Sequence, residues 1–167
     1  KRFDVCVFSN ATLILKNKEW LFRLPIRKYN ISLDGLKDSH DFIRGEGNFE
    51  KVWECIMELK KQGCFVLVNC VINSININEL SEIHDLLFEN NIEYQFTLML
   101  PLGRGSENIH LLPESEDYLN NIAKLQEKLI ENKEKGTLVN AIEQKVIEVY
   151  EDGYVHKVED DWACNAG

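Results

Sequence analysis

The sequence predicts a parallel α/β fold. Short apolar runs rich in Val, Ile and Phe alternate with stretches of helical periodicity, and the apolar runs carry two unlike faces. Strand, helix, strand, helix in regular alternation means parallel strands joined by crossovers. That pattern fits an open doubly wound sheet or a segment of a barrel.

Four runs read as strands: Phe3–Ser9, Tyr29–Leu33, Phe65–Ile72 and Tyr94–Leu100. Between the first two, Lys16–Arg27 is a weaker helical stretch that Pro25 closes. Phe49–Gln62 sets Phe49, Val52, Trp53, Ile56 and Leu59 on one stripe, with Gly63 as a stop signal. Asn78–Asn90 carries Leu80, Ile83, Leu86 and Leu87, and Asn78 is placed to cap it. Glu114–Glu134 is a longer amphipathic helix that follows Pro113 and ends near Gly136. Beyond Gly136 the periodicity weakens. There Val146, Val149, Tyr150, Tyr154 and Val158 suit a hairpin around Asp152-Gly153 or a final helix and strand. No low-complexity linker divides the chain.

Alternate residues of a strand face opposite sides. Asn30, Ser32 and Asp34 share one side, against Ile31 and Leu33. Asn69, Val71 and Asn73 share one side, against Val66, Val68, Cys70 and Ile72. In the first strand Asp4, Cys6, Phe8 and Asn10 oppose Phe3, Val5 and Val7. A sheet covered on both faces would be apolar on both. Here one face suits helices, and the other turns polar toward the strands' C-terminal ends, where parallel α/β proteins bind ligands. A dry, unpaired polar group costs ~1–3 kcal/mol. Asn10, Ser32, Asp34, Asn69 and Asn73 therefore point to one shared site, with helix caps or loop hydrogen bonds as the alternative for each.

A chain of 167 residues, 44% hydrophobic and 28% charged, is sized to bury a core of its own. Its formal net charge of −9, with no basic run longer than two residues, argues against a nucleic-acid or anionic-membrane partner. No stretch is long enough to span a bilayer, and no signal peptide is visible. Cys6, Cys55, Cys64, Cys70 and Cys164 are scattered without metal-ligand spacing, and the first four suit reduced, mostly buried thiols and a cytoplasmic location. His40 and His84 lack partners at ligand spacing and read as cap or surface groups. Gly45-Glu46-Gly47 lacks the lysine of a phosphate-binding loop and carries an acid instead.

Several segments together resemble the radical S-adenosylmethionine (SAM) superfamily. Phe8-Ser9-Asn10-Ala11-Thr12-Leu13 looks like its third-strand segment, with Ala11 where Gly is usual. Ile31-Ser32-Leu33-Asp34-Gly35, then Ser39-His40-Asp41-Phe42-Ile43-Arg44-Gly45 and Phe49-Glu50-Lys51-Val52, is closely similar to the fourth strand and loop of radical SAM maturases. Val68-Asn69-Cys70-Val71-Ile72-Asn73 looks like the fifth strand, and Gln95–Gly105 resembles the sixth and its exit loop. The closing Trp162-Ala163-Cys164-Asn165-Ala166-Gly167 resembles the start of a SPASM or twitch auxiliary-cluster domain.

The resemblance implies a parallel-stranded partial (β/α)6 TIM-like barrel, of which this chain holds about the last four strand–helix units. Residues 1–136 would be barrel, and 137–167 a connector into the auxiliary-cluster region. The chain would then be an internal piece of a longer protein. The C-x-x-x-C-x-x-C loop for the catalytic [4Fe–4S] cluster is not in these residues, so the piece alone is expected to be inactive. SAM contacts implied by the resemblance are Asn10, Ser32, Asp34, Arg44, Asn69, Val71, and Leu98 or Met99 against adenine. The alternative for Arg44 is a loop salt bridge with Asp38, Asp41 or Glu46. Cys164 would ligate an auxiliary [4Fe–4S] cluster. The parent enzyme would cleave SAM to a 5′-deoxyadenosyl radical that abstracts hydrogen from a peptide or protein substrate. A non-catalytic partial-barrel module binding a peptide or nucleotide is the other reading. A free first-strand edge also predicts a homodimer of the isolated piece.

Overall fold

A computed structural model gives the fold and describes residues 5–101 and 103–134, without the side chains of 103–105 and 132–134. The elements run β1 (Cys6–Ser9), α1 (Lys18–Leu21), β2 (Lys28–Ser32), α2 (Lys37–Arg44), α3 (Asn48–Lys61), β3 (Phe65–Ile72), α4 (Leu80–Glu89), β4 (Glu93–Leu98) and α5 (Ser115–Glu134). A kinked 3-10 run, Gly103–Leu111, separates β4 from α5.

All strand pairs are parallel, in the order β1-β2-β3-β4. Tyr29 and Ile31 of β2, Val66, Val68, Cys70 and Ile72 of β3, and Tyr94 and Phe96 of β4 are buried on one face. They share a core with Val52, Cys55, Ile56 and Leu59 of α3, Leu80, Ile83 and Leu87 of α4, and Tyr118, Ile122 and Leu125 of α5. Among the described residues the other face is largely open: Phe8 is 73% exposed, Phe65, Glu93, Gln95 and Thr97 are exposed, and Asn30 is buried between them. A doubly wound sheet would cover both faces. Parallel strands with helices on one side form the wall of a partial TIM-like barrel.

The helix expected at Lys16–Arg27 shrinks to a 3-10 turn, Leu15–Asn17, leading into the four residues of α1. Pro25 disfavours helical backbone at the residue before it, and among the described residues Trp20 and Leu24 stay exposed. Asn78 does not cap α4. It lies in a 3-10 turn, Ile77–Glu79, and its Oδ1 accepts from Asn121 Nδ2 at 3.1 Å.

The stretch expected to be a loop after the second strand is helix α2. Its cap is remote. Leu36 N–H donates to Glu79 Oε2 at 3.0 Å and Ser39 Oγ donates to Glu79 Oε1 at 2.6 Å. Gly35 sits in the same close approach, where a Cβ would meet Ser39 Cβ at 2.8 Å. From inside α2, Asp41 caps α3. Its carboxylate accepts from the N–H groups of Gly47, Asn48 and Phe49 at 2.9, 2.9 and 2.7 Å, with Gly47 in the left-handed region at φ 68°.

The expected hairpin or helix beyond Gly136, the connector 137–167 and Cys164 lie outside the described residues.

Candidate functional site at the C-terminal strand ends

The register lines up the open face in rows. Phe8, Asn30, Leu67 and Glu93 stand side by side, and one step further along the strands so do Ser32, Asn69 and Gln95. Asn10 follows β1 directly, and its Oδ1 accepts from Thr12 N–H at 3.3 Å and Thr12 Oγ1 at 2.9 Å, which closes a local turn. Ala11, in that turn, is buried with φ 65°, a conformation glycine adopts without strain.

Asp34 is the hub. Its side chain is 3% exposed. Oδ2 accepts from Arg44 Nε at 2.6 Å and pairs with Arg44 Nη2 at 2.5 Å, while Oδ1 accepts from Val71 N–H at 3.1 Å. Its backbone N–H donates to His40 Nδ1 at 3.0 Å, and its carbonyl accepts from Asn76 Nδ2 at 2.8 Å. Arg44 is therefore helical rather than in a loop, and its partner is Asp34, not Asp38, Asp41 or Glu46.

His40 is buried, not at the surface. Burial pushes its pKa down, and an Nδ1 that accepts a hydrogen bond suits the neutral ring. Among the described residues its Nε2 is buried without a partner. His84 is also buried, with Nδ1 against the Tyr94 hydroxyl, and burial lowers its pKa too. Asn73 is used in the loop after β3, where Nδ2 donates to the Val71 carbonyl at 3.0 Å and Oδ1 accepts from Ile75 N–H at 2.9 Å.

Asn69 stays on the open face. Its Oδ1 accepts from Gln95 Nε2 at 3.2 Å and Thr97 Oγ1 at 3.1 Å. Val71 is half-buried on the same face. Leu98 packs against the core, so alternation puts Met99 on the open side. The site thus gathers Ser32, Asn69, Val71 and Met99 on one surface, with Asp34 and Arg44 bracing its end.

Asn76, Glu79, Gln95 and Thr97 were not among the expected site residues. Counting alternation from Tyr94 and Phe96 would have placed Gln95 and Thr97 on the open face. Asn76 and Glu79 act across more than 40 residues, which no local pattern shows. Among the described residues no group of three or more His, Cys, Asp or Glu could hold a metal ion, and no helix is long and apolar enough to cross a membrane.

No family model matches the chain. In sequence it is similar to GTP 3′,8-cyclases. The Clostridium perfringens (strain SM101) protein is 28% identical over 106 residues, which is 62% of this chain and 33% of that protein. The Microcystis aeruginosa protein is 31% identical over 108 residues, 61% of this chain and 33% of that one. The chain thus spans about a third of the length of these curated relatives. In structure it is similar to anSMEcpe. The hexahistidine-tagged form with bound AdoMet superposes with a TM-score of 0.66 at 21% identity, over 81% of this chain and 37% of that one. The native form with bound AdoMet and Kp18Cys peptide gives 0.66 at 23%, over 81% and 39%. The fold is shared.

Proposed function

We propose that this chain is the second half of the incomplete barrel of a radical SAM enzyme and supplies part of its SAM pocket. The observation that carries this reading is the polar row Ser32, Asn69 and Gln95, which ends β2 and crosses the middle of β3 and β4 on the open face of a one-sided parallel sheet, in a fold shared with AdoMet-bound anSMEcpe. Ser32 offers a hydroxyl and Asn69 an amide to a nucleoside, while Val71 and Met99 give apolar surface to a base. Arg44 keeps a partly exposed guanidinium near the same end, steadied by Asp34. When bound beside a reduced [4Fe–4S] cluster, SAM supplies a 5′-deoxyadenosyl radical for hydrogen abstraction. The described residues hold no ligand set for that cluster.

The substrate in this reading is a peptide or protein side chain, supported by the likeness of the Ser32–Gly35 segment to maturases and by the peptide in one structural neighbour. Cys164, in Cys164-Asn165-Ala166-Gly167, would begin an auxiliary cluster region. A nucleotide substrate is the second reading, favoured by the similarity to GTP 3′,8-cyclases. The full-length protein, reconstituted anaerobically with iron and sulfide, is expected to form 5′-deoxyadenosine from SAM under reduction. Failure to bind SAM and to form that product would overturn the proposal. Deuterium transfer from labelled peptide or labelled GTP into 5′-deoxyadenosine separates the two substrates.

A further inference from the structure

We propose that Gln95 and Thr97 are positioning residues that orient the Asn69 amide, so that this point of the site recognises a hydrogen-bond acceptor. The inference rests on the reading of the open face as a SAM site and adds the polarity of one contact within it.

β3 and β4 are already joined by their backbone ladder, with Asn69 opposite Gln95 and Val71 opposite Thr97. Gln95 and Thr97 are both exposed, face away from the core, and contribute nothing to its packing. Yet both donate to one atom, Asn69 Oδ1, at 3.2 and 3.1 Å. A carboxamide oxygen has two acceptor sites, and here both are used. Turning the amide over would set its NH2 against the Gln95 NH2, and only a matching turn of Gln95, with the Thr97 hydroxyl accepting, would relieve it. As arranged, the network holds the oxygen toward β4 and leaves the two N–H donors directed away from it. Ser32, the partner of Asn69 on β2, lies on that other side with a hydroxyl on the same face. A ligand resting there meets a donor. A hydroxyl, carbonyl or carboxylate oxygen is accepted, and an ammonium or amide N–H is repelled.

The opposite polarity is the competing arrangement, with Asn69 donating to Gln95 Oε1 and Thr97 Oγ1 and showing its oxygen to the ligand. Substitution separates the two. In Asn69→Asp both side-chain oxygens accept and neither atom donates. Gln95 and Thr97 can still donate to it, but nothing is left to offer the ligand.

The test is SAM affinity of the full-length protein, measured by titration calorimetry without turnover. Thr97→Val and Gln95→Leu are each expected to weaken binding about threefold, and the pair about tenfold, as loss of one or two neutral hydrogen bonds would. Thr97→Ser restores the hydroxyl and is expected to bind like the wild type. Asn69→Asp is expected to lose as much affinity as Asn69→Ala. Asn69→Ala added to the Thr97→Val, Gln95→Leu pair is expected to cost little more, because the two act only through Asn69. Melting temperatures should stay at the wild-type value in the Gln95 and Thr97 variants. Wild-type affinity in the Thr97→Val, Gln95→Leu pair, or retained affinity in Asn69→Asp, would overturn the inference while leaving the SAM site intact. No SAM binding by the wild-type protein would overturn the site reading, and this inference with it.

Discussion

Asp34 commits every polar group it owns to holding three segments together: α2 through Arg44 and His40, β3 through Val71, and the β3–α4 loop through Asn76. Its carboxylate is buried, so removing the guanidinium strands a charge. Arg44→Ala is expected to destabilise the fold by ~1–3 kcal/mol in urea denaturation, with Arg44→Lys recovering part of the loss because lysine lacks the fork. Ser32→Ala behaves differently. Ser32 is half-buried at the strand end, so the variant should keep its melting temperature and lose SAM affinity by ~0.5–1.5 kcal/mol in calorimetry. If the affinity is unchanged, Ser32 is not part of the pocket. Ala11 presents a third case. At φ 65° its methyl costs ~1–2 kcal/mol relative to ordinary backbone, while burying that methyl returns ~0.8 kcal/mol. Ala11→Gly should therefore shift stability by less than ~1 kcal/mol, whereas Ala11→Val should destabilise clearly, measured side by side in urea.

At the scale of elements, α2 depends on a residue 43 positions away from the N–H it caps. Its own N-cap, Leu36, has no side-chain hydrogen bond to offer. Glu79→Ala should cost ~1–2 kcal/mol and speed amide exchange in α2 more than in α3, because Glu79 caps α2 directly and bears on α3 only through Asp41 of α2. Equal loss of protection in both helices would mean they open as one unit. The outward face of α2 carries Phe42, 75% exposed, so no apolar stripe marks this helix in the sequence. By contrast α3 matched its expected bounds to within a residue, since Val52, Ile56 and Leu59 recur at helical spacing and all are buried. Among the strands, Phe65–Ile72 was legible to the residue because β-branched alternation and burial coincide there, whereas Tyr94–Leu100 is Glu93–Leu98 in the structure.

At the scale of the molecule, acid should loosen the fold in two stages. His40 and His84 have pKa values lowered by burial, so between their folded values and the ordinary value of about 6.5 the unfolded chain binds protons that the native state refuses. Stability is then complete above about pH 6.5 and falls as pH drops below it. Further down, Asp41, lowered chiefly by the Phe49 N–H bond, and Glu50, lowered by Lys37, lose their contributions as they protonate below the usual carboxylate range. Thermal melts from pH 8 to 3 should show a decline beginning near neutrality. A flat profile down to about pH 4.5 would mean that the histidines do not titrate with folding. Among its described residues the isolated chain also presents β1 as an edge, with Val5 exposed beside it and Phe8 exposed on the open face. It is expected to self-associate, visible as a mass rising with concentration in light scattering. A monomeric mass at high concentration, with β1 amides protected, would mean that the edge is covered within one chain.

What the sequence by itself determined was whatever depends on neighbours within a turn or a strand. Alternation placed Asn30, Ser32 and Asn69 opposite Ile31 and Val68, and helical spacing placed the stripe of α3, because side-chain direction repeats with the backbone's own period. What only the tertiary structure decided was the use of each polar group. Loop or helix for Ser39–Arg44, and the hydrogen-bond partners of Asp34 and Arg44, turned on contacts between elements. A buried hydrogen-bonding group must find its complement wherever the fold brings one. For Leu36 and Asp34 those complements are Glu79 and Asn76, about 40 residues along the chain, a distance over which no local pattern carries information.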